Sequence, residues 1–151
     1  MKFSTRSRYG LRAMVELALN YTADQPVPLS LVAGRQDLSE GYLEQLMTSL
    51  RKGGLVRSVR GAQGGYLLSR PPGQITAGDI IRCLEGPLSP TDCVNEEVPD
   101  PCERAEICVT RRLWERVRVA IADVLDNVTL EDLSRNAEEI RRSQESYMYY
   151  L

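Results

Sequence analysis

The chain has 151 residues and a net charge of −2, a length that allows one compact domain, or a small domain with an extension, to bury its own core. It has no histidine, which excludes the Cys–His and Ser–His pairs of nucleophilic catalysis, so no enzyme is expected. No long apolar run occurs, and Lys2, Arg6 and Arg8 interrupt the N-terminus, which predicts a cytoplasmic protein without a signal peptide or membrane span.

The charge is divided unevenly along the chain. Residues 1–70 contain ten Lys or Arg and five Asp or Glu, a balance of +5. Residues 71–151 contain nine Lys or Arg and sixteen Asp or Glu, a balance of −7. A basic N-terminal half predicts an anionic ligand such as nucleic acid, and the acidic half predicts a different task.

The first 38 residues predict two helices. Ser4 or Thr5 can cap the first, which is expected to run to about residue 21. Arg6 and Arg8 lie in its first turns, where they are placed to neutralise phosphates. A short second helix is predicted over residues 29–36. The buried face predicted for the first helix consists of Leu11, Met14, Val15 and Ala18.

Residues 39–52 predict a third helix with two distinct faces. Ser39 is a natural N-cap, and Gly53-Gly54 ends the helix. Apolar residues at helical spacing predict a buried stripe of Leu43, Leu46, Met47 and Leu50. Side chains able to read base edges or phosphates dominate the other face, which contains Gly41, Glu44, Gln45, Thr48 and Lys52.

A hairpin is predicted directly after this helix. Residues 55–60 alternate apolar with polar side chains and include Arg57 and Arg60. The turn at 61–65 is rich in glycine, and residues 66–69 predict the second strand. This order is that of a DNA recognition helix and its wing, although the periodicity alone also fits an ordinary amphipathic helix and hairpin.

A fourth helix is expected after the break at residues 70–73. Thr76 and Asp79 have the spacing of a capping box, and Gly86-Pro87 ends the helix. Cys83 shares a face with Ile80 and Leu84, which favours a small buried apolar residue over a ligand.

The C-terminal third predicts a long helix from about Glu103, followed by a short one that begins at Thr129. The long helix is expected to pair with a second copy; packing on its own domain is the alternative. Its apolar seam consists of Ile107, Trp114, Val117, Ile121, Val124 and Val128. The terminal residues 147–151 are too apolar for a free tail.

Three cysteines lie in the polar segment between these helices. Cys93, Cys102 and Cys108 have the spacing Cys-x8-Cys-x5-Cys. Disulfides rarely persist in the cytoplasm, so metal or cluster ligation, or redox switching, is the better interpretation. Thiolates suit zinc and iron–sulfur clusters alike, and the spacing does not choose between them.

Several ordered motifs together resemble one family. They are residues 4–11, 42–46, 54–56, 59–68, 75–81 and 128–133. They resemble the bacterial winged-helix transcriptional regulators that include the iron–sulfur cluster regulator IscR, the nitric-oxide sensor NsrR and the cysteine-metabolism regulator CymR, with an IscR-like member as the nearest. The residues predicted to contact DNA are Arg6, Arg8, Ser39, Gly41, Tyr42, Glu44, Gln45, Arg57, Arg60, Gly61, Gly64 and Gly65.

The resemblance also implies a [2Fe–2S] cluster on Cys93, Cys102 and Cys108. The fourth ligand is not identified, because the histidine of the cluster regulators is replaced by Arg111, which cannot ligate. Relatives of another type use a carboxylate of the partner's first helix, where Glu16 is the acidic residue of this chain. The remaining substitutes are Asp92, Glu103, Glu106 and Cys83.

The expected architecture is mainly α with a small β-hairpin, a winged helix-turn-helix with a long dimerisation helix. Residues 1–73 would bind DNA, residues 74–102 would form a connecting helix and cysteine loop, and residues 103–151 would dimerise and pack back on the first part. The expected function is repression of iron–sulfur or cysteine and sulfur metabolism genes by a homodimer on double-stranded DNA. One alternative is a cluster-free regulator that senses cysteine status through thiol oxidation or a protein partner from cysteine biosynthesis. The other is a zinc-stapled interaction module.

Overall fold

The computed structural model describes residues 1–97 and 102–150, so four residues of the predicted cysteine loop and the terminal Leu151 lie outside the described part. The helices of this part are α1 (Thr5–Leu19), α2 (Leu29–Gln36), α3 (Glu40–Lys52), α4 (Ala77–Glu85), α5 (Val109–Asp126) and α6 (Leu130–Tyr149). The strands are β1 (Val56–Val59) and β2 (Gly65–Leu68), and short 3₁₀ turns occur at Pro72–Gln74 and Asp92–Val94. In these two ranges no helix combines the length and apolar character that crossing a bilayer requires.

Helices α2 and α3 form a helix-turn-helix supported by α1. The side chain of Ser4 caps α1 by accepting a hydrogen bond from the Ser7 amide at 3.1 Å. Asp37, between α2 and α3, has a left-handed backbone with φ 53°, a conformation that aspartate tolerates better than most residues. Ser39 then caps α3 by accepting from the Tyr42 amide at 3.2 Å. The predicted bounds of α2 and α3 are therefore confirmed.

The core lies behind α3 and includes parts of all six helices except α5. The predicted stripe of α3 is fully buried, and Ile80 of α4 and Leu130 of α6 join it at 0% exposure. The predicted face of α1 is wrong in part: Ala13 and Leu17 are buried with Met14 and Ala18, whereas Leu11 and Val15 are half-buried. Those two residues face α6, which covers them incompletely.

The wing is an antiparallel hairpin held to the body by an isolated bridge. Val56 pairs with Leu68 and Val59 with Gly65, and Val27 exchanges two hydrogen bonds of 2.9 Å with Tyr66. Gly65 has φ 155°, and a Cβ there would lie 2.1 Å from the carbonyl oxygen of Val27. Only glycine therefore allows β2 to approach the backbone of Val27 this closely. Helices α2 and α3 and the hairpin together form a winged helix-turn-helix.

The C-terminal part differs from the prediction. The capping box of Thr76 and Asp79 at the start of α4 is confirmed, but α5 is confined to 109–126, so Ile107 and Val128 lie outside it. A second capping box, Thr129 with Asp132, begins α6, which has 20 residues rather than being short because no glycine or proline interrupts it.

Candidate nucleic-acid interface and cysteine loop

The outer face of α3 is open to solvent. Gly41, Glu44 and Gln45 are exposed, as is the capping residue Ser39. Tyr42 is half-buried, because its ring packs edge-on against the ring of Tyr9 with 6.2 Å between centroids. Because the opposite stripe of α3 is buried, these residues face the solvent together. The polar strip of α3 consists of Ser39, Gly41, Glu44 and Gln45.

The wing, which contacts the end of α3 through a hydrogen bond from Arg51 to Ser58, carries two basic residues. Arg57 and Arg60 are exposed, and within the described part of the chain neither makes an ion pair or a side-chain hydrogen bond. The tip turns at Gly61, with φ 112°, and the amide of Gly64 donates to the Gly61 carbonyl at 3.0 Å. Two unpaired guanidinium groups next to a glycine-rich tip are suited to a polyanion such as DNA.

The arginines at the start of α1 have partners inside the protein. Arg6 donates to the hydroxyl of Ser49 on α3, and Arg8 donates to Thr5 at 3.4 Å. Both side chains remain exposed. The bond from Arg6 adds a role that the sequence did not suggest, since it attaches α1 to α3.

The structure does not bring the three predicted cluster ligands into a metal site. Cys93 Sγ lies 3.1 Å from the Thr91 hydroxyl, whereas Cys108 Sγ lies 3.2 Å from the hydroxyl of Thr110. Cys102 is exposed. Among residues 1–97 and 102–150 no group of three or more His, Cys, Asp or Glu side chains could hold a metal ion. As arranged, the donor set does not fit a [2Fe–2S] cluster.

The proposed substitutes for the fourth ligand do not complete the site either. Asp92, Glu103 and Glu106 belong to the same described range, for which no such group is found. Arg111, at the histidine position, has its Nε 3.6 Å from Glu115 on the next turn of α5. The convergence of loop ligands depends on the backbone path between them, which spacing does not determine.

The four thiols differ in their surroundings. Burial raises the pKa of the Cys83 thiol, whose Sγ donates to the carbonyl oxygen of Ser49 at 3.4 Å. Cys83 packs against the core as an apolar residue would, but it is half-buried rather than buried as predicted. The hydrogen bond with Thr110 lowers the pKa of Cys108. Cys108 therefore forms a thiolate more readily than Cys83.

An ion-pair network connects the cysteine loop to α4 and α5. Arg82 of α4 contacts Asp126 with both terminal nitrogens, at 2.5 and 3.0 Å. Its Nε lies 3.7 Å from Glu96, three residues beyond Cys93. Glu96 also accepts from Arg118 of α5 at 3.0 Å. The next residue on α4 is Cys83, which touches α3, so Arg82 and Cys83 together contact both the loop and α3.

Helix α5 contributes no residue to the hydrophobic core. None of its 18 residues is buried. Its apolar side chains line an open groove of about 400 Å³ with Phe3, and that groove includes three residues of the predicted seam, Val117, Ile121 and Val124. Trp114 is 36% exposed.

Sequence reasoning missed the most buried charge of the described chain. Glu16 is 4% exposed and is bonded to three residues on two other helices. The position of Glu16 among the apolar residues of α1 could have predicted its burial and its bonds, because a charged residue on a buried face needs a partner.

Known proteins resemble this chain over nearly its whole length. The sequence model of the Rrf2 family, described as an iron-dependent transcriptional regulator, matches residues 3–136. The HTH-type transcriptional regulator CymR of Bacillus subtilis (strain 168) is 48% identical over 151 residues, 100% of each chain. The solved structure of CymR, described as the global cysteine regulator of B. subtilis, has a TM-score of 0.73 at 50% identity and covers 90% of this chain and 98% of that one. The structure of T. potens IscR has a TM-score of 0.72 at 46% identity, covering 93% and 90%.

Proposed function

Because the chain belongs to the Rrf2 family of transcriptional regulators, we propose that it is a homodimeric repressor that binds a double-stranded DNA operator in the cytoplasm. It regulates transcription rather than catalysing a reaction, as do the regulators to which it is similar. We propose that it controls genes of sulfur metabolism, which supply both cysteine and iron–sulfur clusters. Similarity to a global cysteine regulator and to an IscR supports this assignment.

The observation that carries the proposal is the exposed polar strip of α3 beside the wing. In a major groove, Glu44 and Gln45 have side chains that accept from or donate to base edges. Arg57 and Arg60 then lie over the adjacent backbone or minor groove. The net charge of +5 in residues 1–70 favours the same ligand.

The exposed apolar groove of α5 supports the dimer. An 18-residue helix with no buried residue gains little stability from apolar packing within the described part of its own chain. Pairing of two such helices about a twofold axis would bury the groove and place two recognition helices on half-sites roughly 34 Å apart.

Control of DNA binding is assigned to the thiols of Cys93, Cys102 and Cys108 without a bound cluster. The contact of Glu96 with Arg82 supports this, because Arg82 adjoins the residue that touches α3. Oxidation or modification of the loop thiols would move Glu96 and weaken its contact with Arg82. This change would reach α3 through Cys83, the next residue of α4. A protein partner from cysteine biosynthesis is a further way to read cysteine status, and the apolar C-terminal residues of α6 are exposed for one.

A [2Fe–2S] cluster is the second candidate for the sensing group. Three cysteines on one polar loop and the 46% identity with T. potens IscR favour it. When bound, a cluster would supply a redox-sensitive crosslink of the loop. The lack of a group of three metal-ligating side chains among the described residues argues against it.

The proposal is tested by selecting genomic DNA fragments with protein isolated without oxygen, while iron, zinc, labile sulfide and the absorption spectrum are measured on the same sample. The expected result is enrichment of a palindromic site at physiological salt, lost in an Arg57→Ala, Arg60→Ala double variant. Equimolar iron and sulfide would select the cluster candidate. Absence of enrichment, with bound zinc, would replace the proposal by a zinc-stapled interaction module.

A further inference from the structure

The carboxylate of Glu16 is buried between three helices. Its side chain is 5% exposed, and it lies in the last two turns of α1, beside α2 and α6. A buried carboxylate is costly unless charged or polar partners satisfy it. Its retention inside an otherwise apolar face therefore requires specific bonds.

Glu16 receives such bonds from both the helix-turn-helix and the C-terminal helix. Arg35 Nη1 of α2 lies 3.2 Å from Oε2. Gln36 Nε2 donates to Oε1 at 3.0 Å. Arg141 Nη2 of α6, 125 residues along the chain, donates to the same Oε1 at 3.0 Å. One carboxylate thus joins the end of α2 to α6.

The contacts continue from α2 to the first turn of the recognition helix. Gln36 accepts from Arg12 Nε at 2.7 Å, and the Arg12 guanidinium lies 5.2 Å from the centre of the Tyr9 ring. Tyr9 packs edge-on against Tyr42 of α3. A continuous chain of side-chain contacts therefore leads from Arg141 to the helix that carries Glu44 and Gln45.

We infer that Glu16 is a positioning residue for base recognition, which locks α2 and the turn into α3 onto α6. Gln36 is the last residue of α2 and directly precedes the left-handed Asp37, so its orientation sets the start of the turn. Loss of the lock would leave the fold intact but widen the range of angles at which α3 is presented. This inference rests on the proposed DNA-binding function and adds to it a residue that does not touch DNA.

The chain offers a matched pair for the test. Arg141 and its neighbour Arg142 are both exposed arginines of α6, but only Arg141 is bonded to Glu16; Arg142 makes no ion pair or side-chain hydrogen bond within residues 1–97 and 102–150. Operator affinity, affinity for unrelated DNA and their salt dependence would be measured for Arg141→Ala and Arg142→Ala. Arg141→Ala is expected to lower operator affinity about 3- to 30-fold, with unrelated DNA and the melting temperature nearly unchanged, and Arg142→Ala to match the wild type.

Other outcomes overturn the inference. Equal losses on operator and unrelated DNA, with a salt slope reduced by about one, would make Arg141 a phosphate contact instead. If Arg141→Ala and Arg142→Ala bind the operator with equal affinity, the contact between Arg141 and Glu16 has no role in DNA recognition. If the wild type selects no operator at all, the proposed function itself fails, which is a distinct result.

A second variant guards against a purely structural effect. Glu16→Gln keeps the shape and two polar atoms but removes the charge that holds two arginines. Combined with Arg141→Ala, it should lower operator affinity no further than the stronger single variant, because both variants break the contact between Glu16 and Arg141. Additive losses would show that the two residues act separately and would contradict the inference.

Discussion

The thiol of Cys83 lies 3.4 Å from the carbonyl oxygen of Ser49, so that α4 contacts α3 directly. Gly53 completes this contact: a Cβ at that position would lie 2.4 Å from the same sulfur. The helix that precedes the cysteine loop therefore packs closely against the end of α3.

Gly53→Ala should therefore destabilise the protein. The added methyl group would push α4 from α3, and such overpacking costs about 1–3 kcal/mol. Gly34→Ala is the matched control, since no atom lies within 4 Å of its Cβ position, and replacing a helical glycine by alanine stabilises by about 0.5–1 kcal/mol. Thermal unfolding of both variants checks the packing; a Gly53→Ala protein as stable as Gly34→Ala would contradict it.

Arg60→Ala should weaken binding to the native operator by about 1–3 kcal/mol if Arg60 reads sequence from the wing. Glu44→Ala should instead relax base preference more than it lowers affinity, because the carboxylate accepts from one base and is repelled by phosphates. Titrations at fixed salt against the operator and its single-base variants distinguish the two effects. Unchanged binding in both variants would reject this placement of α3 and the wing.

Ile121→Asp should give monomers and abolish operator binding together. Ile121 lines the apolar groove of α5, and a charge buried at a paired groove without a partner is strongly unfavourable. Ala23→Asp adds the same charge on the exposed loop after α1 and should leave the dimer unchanged. Light scattering measures the assembly; an Ile121→Asp protein that stays dimeric would remove α5 as the dimer interface.

The bond between Arg82 and Asp126 should contribute a small, pH-dependent stability. The hydrogen bonds from Arg82 lower the pKa of Asp126, so the contribution is present above the ordinary pKa of about 3.9 and is lost as pH falls through the lowered value. The Asp126 side chain is 42% exposed, and solvent screening limits the effect to about 1 kcal/mol or less.

Urea unfolding of wild type and Asp126→Asn between pH 3 and pH 7 tests this. The difference in unfolding free energy should be constant above about pH 5 and shrink below the ordinary pKa. Asp123→Asn is the control, because Asp123 is exposed on the same helix and accepts only through its backbone. A difference that grows toward acid would have the wrong sign for a lowered pKa.

Local signals predicted the helix-turn-helix and the hairpin well, whereas long-range contacts were not predictable. The capping box of Thr76 and the turn before Ser39 depend on neighbouring residues, so their positions could be read from the sequence. The role of Glu16 depends on Arg141, which only the fold brings near. In the same way, the spacing of Cys93 and Cys108 does not specify the backbone path that would bring their sulfurs together.

Replacing one acidic residue, Glu96, should separate the response to the loop thiols from DNA binding itself. Glu96→Gln should retain operator binding but lose most of its response to the loop thiols, because it weakens the contact with Arg82 and Arg118. Glu97→Gln, an exposed neighbour whose side chain makes no ion pair among the described residues, should respond like the wild type. An equal response in both variants would exclude this path.

The most direct measurement compares operator affinity across the states of the cysteine loop. Wild-type protein kept without oxygen, the same protein after metal removal, the same protein after mild thiol oxidation, and Cys102→Ala would be titrated on one operator. Control through the loop predicts that at least one state of the wild type differs by about 5- to 150-fold, the usual range of allosteric coupling, and that Cys102→Ala does not change on oxidation. Equal affinities in every state, on an operator that the protein does bind, would contradict control by Cys93, Cys102 and Cys108.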